Sequence, residues 1–219
     1  YLDSDDLDFM DLHVQKTPDR PKLRIRAYGN PPSGPAFFEV KRKVKRVTFK
    51  DRAVVPMEAV PALLRGEIPK NLKLKNAAEQ KTLDHFLYLM IVWRATPKII
   101  ITCKREAYTS IEPTEGVRLT FDTDIVYQPA RGPTLIGDPK AWIHICGQKN
   151  YQPQAPTLIE IKFKNIAPLW VAEMVQRLQL TLSASSKYVM AMTLEAMGND
   201  AFVAPDFAHW PPRQSGERV

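Results

Sequence analysis

The feature that most restricts this chain is a repeated two-residue alternation of basic and apolar side chains, on segments far apart in sequence. A strand sends successive side chains to opposite faces, so this alternation specifies sheets with one apolar and one cationic face. Lys22, Arg24 and Arg26 share one side of a strand predicted over Lys22 to Tyr28, with Leu23, Ile25 and Ala27 on the other. Glu39, Lys41, Lys43 and Lys45 share a side of a second strand, from Phe37 to about Val47. Lys50 and Arg52 repeat the spacing on a third, short one that includes Phe49 to Val54. Arg105 lies on the side of Ile99, Ile101 and Cys103 in a strand over Lys98 to Tyr108. Arg118, Thr120, Asp122 and Asp124 oppose Leu119, Phe121 and Ile125 over Val117 to Val126. Glu160, Lys162 and Lys164 oppose Ile159, Ile161 and Phe163 over Thr157 to Lys164.

Helical spacing fills the gaps. Pro56 opens a helical stretch to Leu64, and a longer helix is predicted over Ala77 to Trp93, with Leu83, Phe86, Leu87 and Met90 on one face and Pro97 as its stop. Pro168 starts another, reaching about Leu182, and Ser185-Ser186-Lys187-Tyr188 leads into an apolar stretch through Met192. Residues 1–17 read as a strand end followed by a loop or short helix, with Asp residues solvated, although Asp3, near the strand, could approach a binding site. Gly29 to Pro35 is a turn, residues 128–156 are mostly loop with a possible short strand over Trp142 to Cys146, and residues 193–219 are a tail after a domain spanning 1–192. The start at Tyr1 without an initiator Met suggests the interior of a longer protein.

The net charge of +7, from 31 basic and 24 acidic residues, favours an anionic partner without choosing its class. Cys103 and Cys146 are far apart in apolar stretches and read as buried thiols of a reducing compartment. The longest apolar run, around Phe86 to Val92, is too short to span a bilayer. The expectation is a cytoplasmic domain that does not insert into a membrane. The four histidines are scattered and suit packing or surface better than ligation, and Trp93 and Trp170 fall on predicted helices, packed outside the sheet.

Any one K-x-K or R-x-R stripe is more often a solvated sheet face than a site. Converging stripes would repel by several kcal/mol, on the order expected in a partly desolvated site, unless water or a multiply charged anion fills the space. An antiparallel barrel with charges inward, apolar residues outward and helices packed outside satisfies the pattern. Glu39 and Glu160 each open an E-x-K step, which suits either a divalent cation shared with phosphates or an ion pair with lysine; spacing alone favours the ion pair. Nucleic acid is disfavoured, because Tyr28 and Tyr108 are the best stacking candidates within the basic blocks.

These residues resemble a known family. Lys22-Leu23-Arg24-Ile25-Arg26-Ala27-Tyr28-Gly29, followed by Phe38-Glu39-Val40-Lys41-Arg42-Lys43, is similar to the opening signature of the VTC domain. Arg105-Glu106-Ala107-Tyr108, Val117-Arg118-Leu119-Thr120-Phe121-Asp122, Leu158-Ile159-Glu160-Ile161-Lys162 and Ser186-Lys187-Tyr188 resemble its later blocks, in the same order. The resemblance covers residues 1 to about 192 and implies the α+β fold of the triphosphate tunnel metalloenzymes, an antiparallel β-barrel tunnel with a basic interior and helices outside. It further implies a polyphosphate polymerase-like phosphotransferase using ATP, inorganic polyphosphate and Mn²⁺ or Mg²⁺. On this likeness Arg24, Arg26, Lys41, Arg105 and Arg118 grip the phosphates, joined by Lys162 and Lys187; Lys43, Lys50 and Arg52 extend the set. Lys41, Arg105 and Lys162 are the candidate catalytic cations, Glu160 the metal carboxylate, and Ser186 a donor to phosphate oxygen. Three departures stand out: the family's first basic strand is missing, Cys103 replaces a common aromatic residue, and Ala184 replaces a lysine found in some members. A triphosphate hydrolase of the same superfamily and a non-catalytic polyphosphate-binding module are the alternatives.

Overall fold

The computed structural model describes residues 1–29, 31–44, 47–112, 116–145, 157–164, 166–180 and 186–196. They divide into two compact units, residues 1–100 with 128–141, and residues 101–127 with those from 142 onward.

In the first unit, β1 (Leu2–Asp3), β2 (Asp19–Tyr28), β3 (Ser33–Val44), β4 (Val47–Val55) and β5 (Thr96–Pro97) form an antiparallel sheet in the order β4-β3-β2-β1-β5. The register places Leu23 opposite Val40, Ile25 opposite Phe38 and Phe38 opposite Ala53, so the apolar half of each alternation meets on one face. Helix α3 (Ala77–Val92) covers that face with Leu83, Phe86, Leu87 and Met90. The rings of Phe38 and Phe86 meet edge-on at 4.9 Å, and both side chains are fully buried. Burying each such ring contributes roughly 2–3 kcal/mol, and this contact fixes which way the sheet faces. Helix α1 (Asp8–Val14) adds Phe9, whose ring packs against Trp93 at 5.3 Å, and α2 (Val60–Leu64) adds Val60 and Leu63.

Local chemistry sets the element ends. Asn76 caps α3 by accepting the Glu79 N–H at 2.9 Å. The helix ends at Val92, where the chain turns through a left-handed Arg94 (φ 49°), ahead of Pro97, which was expected to stop it and instead lies in β5. Asp3, read as solvated or as approaching a binding site, is instead fully buried. Its carboxylate accepts the N–H groups of Ser4, Phe9 and Met10 at 2.8, 2.8 and 3.0 Å, tying β1 to α1. The difference arises because short N-terminal polar runs look solvated until a helix start is placed beside them.

The second unit is built on β6 (Ile99–Thr109) and β7 (Arg118–Pro129), with β8 (Ile143–His144) opposite Val126 and Tyr127 and β9 (Leu158–Lys162) antiparallel to Arg118 through Asp122. Ser110 closes the β6–β7 hairpin, its N–H donating to the Val117 carbonyl at 2.9 Å. Helix α4 (Leu169–Arg177) starts after Pro168 as expected, but ends before Leu182, since Gln179 turns left-handed (φ 50°). The apolar stretch after Ser186 proves to be helix α5 (Lys187–Ala196), burying Tyr188, Val189, Met190, Ala191 and Leu194. Cys103 is half-buried instead of buried, and Lys45, Cys146 and Ala184 lie outside the described residues.

The alternation fails once within β7. Asp124 adopts φ 48°, a left-handed bend that breaks the two-residue period, so Asp122 is buried while Asp124 is half exposed and pairs with Lys104 at 2.7 Å. Asp122 and Asp124 therefore do not share a face. The pairings found among the described residues are those of two sheets, antiparallel throughout and flanked by helices in an α+β arrangement; a closed barrel is not among them.

Candidate functional site

On the first sheet the register carries the polar half of each alternation to the face opposite the core. Arg20 faces Lys43, Lys22 faces Lys41 and Arg24 faces Glu39; on the next pair Lys41 faces Lys50 and Glu39 faces Arg52. Arg26 shares this face opposite Phe37. Arg24, Arg26, Lys41, Lys43, Lys50 and Arg52 are thus brought together on one surface.

Glu39 is the anchor of this surface. It is 1% exposed, and accepts Arg24 Nε–H at 2.5 Å and Lys50 Nζ at 2.9 Å. Burial pushes its carboxyl upward, but the hydrogen bonds from Lys50 and Arg24 outweigh it and hold the group below the usual carboxylate range. Arg24 also donates to the Tyr1 hydroxyl at 3.3 Å, while Arg52 and Arg26 lie over the rings of Phe37 and Tyr28 at 5.1 and 6.0 Å. A guanidinium pinned on one edge keeps its remaining N–H groups in a fixed fork, the geometry that phosphate oxygens accept.

The second sheet repeats this device. Asp122, 2% exposed, takes two parallel bonds from Arg105, Nε to Oδ1 and Nη2 to Oδ2, each at 2.5 Å, and a third from the Lys187 ammonium at the start of α5. Burial raises the Asp122 carboxyl, and the Arg105 and Lys187 bonds more than reverse this, holding it below its ordinary range. The same Asp122 bond raises the Arg105 guanidinium further still, so its charge is permanent. Arg118 stands opposite Lys162 and Thr120 opposite Glu160 on β7 and β9. Ser186 precedes α5, its carbonyl accepting the Met190 N–H at 2.9 Å.

Glu160 is half exposed and pairs with Lys162 on its own strand at 3.1 Å. Among the described residues no group of three or more His, Cys, Asp or Glu side chains could hold a metal ion.

Four residues of this geometry stood outside the expected site. Glu39 reads from spacing as an ion-pair partner, yet its partners are the cross-strand Arg24 and the Lys50 of β4. Asp122 looked equivalent to Asp124, and nothing in the alternation revealed the bend between them. Lys22 stood in a stripe without a role, and His13 read as packing; the structure puts Lys22 Nζ 3.4 Å from His13 Nε2.

Guanidinium and ammonium groups pinned on sheet faces by buried carboxylates present N–H donors of the kind that phosphate oxygens accept. The family comparison agrees. The VTC domain model matches residues 1–195, and the chain belongs to the VTC domain family, whose fold is that of the tunnel metalloenzymes. Membership points to a polyphosphate-related function. No curated protein matches the chain. Among the described residues no helix is long and apolar enough to cross a membrane.

Proposed function

We propose that this chain is a polyphosphate polymerase-like phosphotransferase that moves the γ-phosphate of ATP onto a polyphosphate chain within a basic, metal-dependent tunnel. The observation that carries the reading is the pair of pinned arginines, Arg24 on Glu39 and Arg105 on Asp122, amid unusually cationic sheet faces. Phosphoryl transfer needs little covalent help from a protein; it needs positioned reactants and neutralised oxygen charge. Arg24, Arg26, Lys41 and Arg118 bind the triphosphate and the growing chain, with Lys43, Lys50, Arg52, Lys187 and Ser186 as further phosphate contacts. Lys41, Arg105 and Lys162 act at the transferred group.

In this reaction an oxygen of the polymer's terminal phosphate bonds to the γ-phosphorus while the bond to the β-phosphate oxygen breaks, and ADP leaves. Glu160 would hold a divalent cation, Mn²⁺ or Mg²⁺, whose charge offsets that of the phosphate oxygens. Glu39 and Asp122 are positioning residues: they hold the arginine forks rigid so that little reorganisation remains when substrate arrives.

The test is incubation of the full chain with ATP and Mn²⁺, with products sized by gel. Long-chain polyphosphate is expected. Free phosphate alone would transfer the reading to a triphosphate hydrolase, and binding without turnover to a polyphosphate-binding module.

A further inference from the structure

Lys22 sits where cations crowd. Lys41 stands directly across from it on β3, Arg20 and Arg24 flank it on β2, Lys43 lies opposite Arg20, and Lys50 lies opposite Lys41 on β4. From α1, His13 brings Nε2 to 3.4 Å from Lys22 Nζ, and the buried Nδ1 of the same ring has no hydrogen-bond partner among the described residues. The acids on these elements are Glu39, held by Arg24 and Lys50; Asp19, held by both arms of Arg42; Asp51, opposite Val40; Asp8, which accepts the Ser4 hydroxyl; and Asp11 in the first turn of α1, while Asp3 of β1 is held by backbone N–H groups.

Like charges facing each other across strands destabilise a sheet. A lysine that sheds its proton, or an anion that joins the cluster, relieves this repulsion. Burial, then Lys41, Arg20 and Arg24, push the Lys22 ammonium down to about 7, and burial with Lys22, Arg20, Lys41 and Lys43 pushes His13 down to about 4. At neutral pH His13 is uncharged and Lys22 is divided between its two forms.

We propose that Lys22, Lys41, Lys43 and His13 form a phosphate subsite beyond Arg24, which fills with one phosphate of a polyphosphate chain and takes up a proton at Lys22 as it fills. This rests on the polyphosphate reading above and deepens it. The proton comes from solvent and converts the Lys22 amine to ammonium; no bond of the phosphate chain breaks. Affinity at this subsite therefore weakens as pH rises through the apo titration of Lys22, the range in which binding has to protonate it.

The experiment is calorimetric titration of the full chain with inorganic tripolyphosphate, at fixed salt and without added divalent cation, in two buffers of different ionisation enthalpy. Wild type is compared with Lys22→Arg, whose side chain stays charged, and with Lys22→Met, thermal melts confirming that each is folded. At pH 8 wild type is expected to take up about 0.9 proton per site more than Lys22→Arg. From pH 7 to pH 8 its affinity should fall about fivefold more than that of Lys22→Arg, the ligand's own ionisation cancelling in the comparison. Lys22→Met should lose affinity roughly tenfold as well as the extra proton, as expected for one charge-assisted contact. Equal proton uptake in wild type and Lys22→Arg, or unchanged affinity in Lys22→Met, overturns the subsite and leaves the wider reading standing. Absence of tripolyphosphate binding to wild type overturns both.

Discussion

At the scale of single residues, two buried carboxylates organise the cations around them, and both are destabilising if left alone. Asp122 receives Arg105 and Lys187; replacing it with Asn leaves two cations without their counter-charge. Removing one member of a fully buried pair costs about 3–5 kcal/mol, but the Arg105 side chain remains about a third exposed, so Asp122→Asn should lose roughly 2 kcal/mol in urea unfolding. The sign of the pH effect follows from the direction of the shift. Asp122 has a folded value below its unfolded one of about 4, so its contribution is complete above that value and disappears as pH falls toward the folded one. Wild type should therefore lose stability on acidification below about pH 4 more steeply than Asp122→Asn; parallel acid profiles would show that the pair adds nothing. At this scale the sequence was least informative. Arg24 and Arg105 stand out as cations, but which acid holds each depends on register and on one left-handed residue, Asp124, and neither is encoded in residue type.

At the scale of elements, the two-residue alternation placed β2, β3, β4, β6, β7 and β9 close to their observed positions, because half-buried strands have no other way to sort apolar from charged side chains. The ends were less legible. β3 begins at Ser33, inside the expected turn, because Ser33 still pairs with Tyr28 beyond an irregularity in register that carries Gly34 and Pro35. α5 was hidden because Lys187 to Met192, though preceded by Ser186, has no clear apolar stripe, being buried on most sides. The β2–β3 turn is where sequence and geometry agree best. Gly29 adopts φ 92°, and a Cβ there would lie 2.8 Å from Ser33 Oγ and 3.0 Å from the Pro31 carbonyl oxygen. Gly29→Ala should lower stability by about 1–2 kcal/mol through that strain. Because the same turn fixes the register that sets Arg24 against Glu39, tripolyphosphate affinity should drop with it. A variant melting like wild type would show that the turn relaxes without cost.

At the scale of the whole molecule, the α+β class, the antiparallel pairing and the family were all legible, since they rest on repeated patterns and not on single residues. The net charge of +7 alone fits any polyanion, and counterion release makes such binding salt-dependent whatever the ligand. What separates phosphate chains from nucleic acid is where the cations sit. Pinned arginine forks on sheet faces match bare phosphate oxygens, whereas a single-strand groove alternates cations with exposed aromatic platforms. Here Tyr28 and Tyr108 are 55% and 54% exposed, but each ring is held edge-on by a neighbour, Phe37 and Phe121, and Arg26 lies over Tyr28. The decisive measurement is competition at fixed salt between tripolyphosphate and a single-stranded DNA of equal charge for the full chain. A preference for tripolyphosphate of at least about tenfold, the equivalent of roughly 1.4 kcal/mol, is the predicted result. Equal or tighter binding of the DNA would contradict the account.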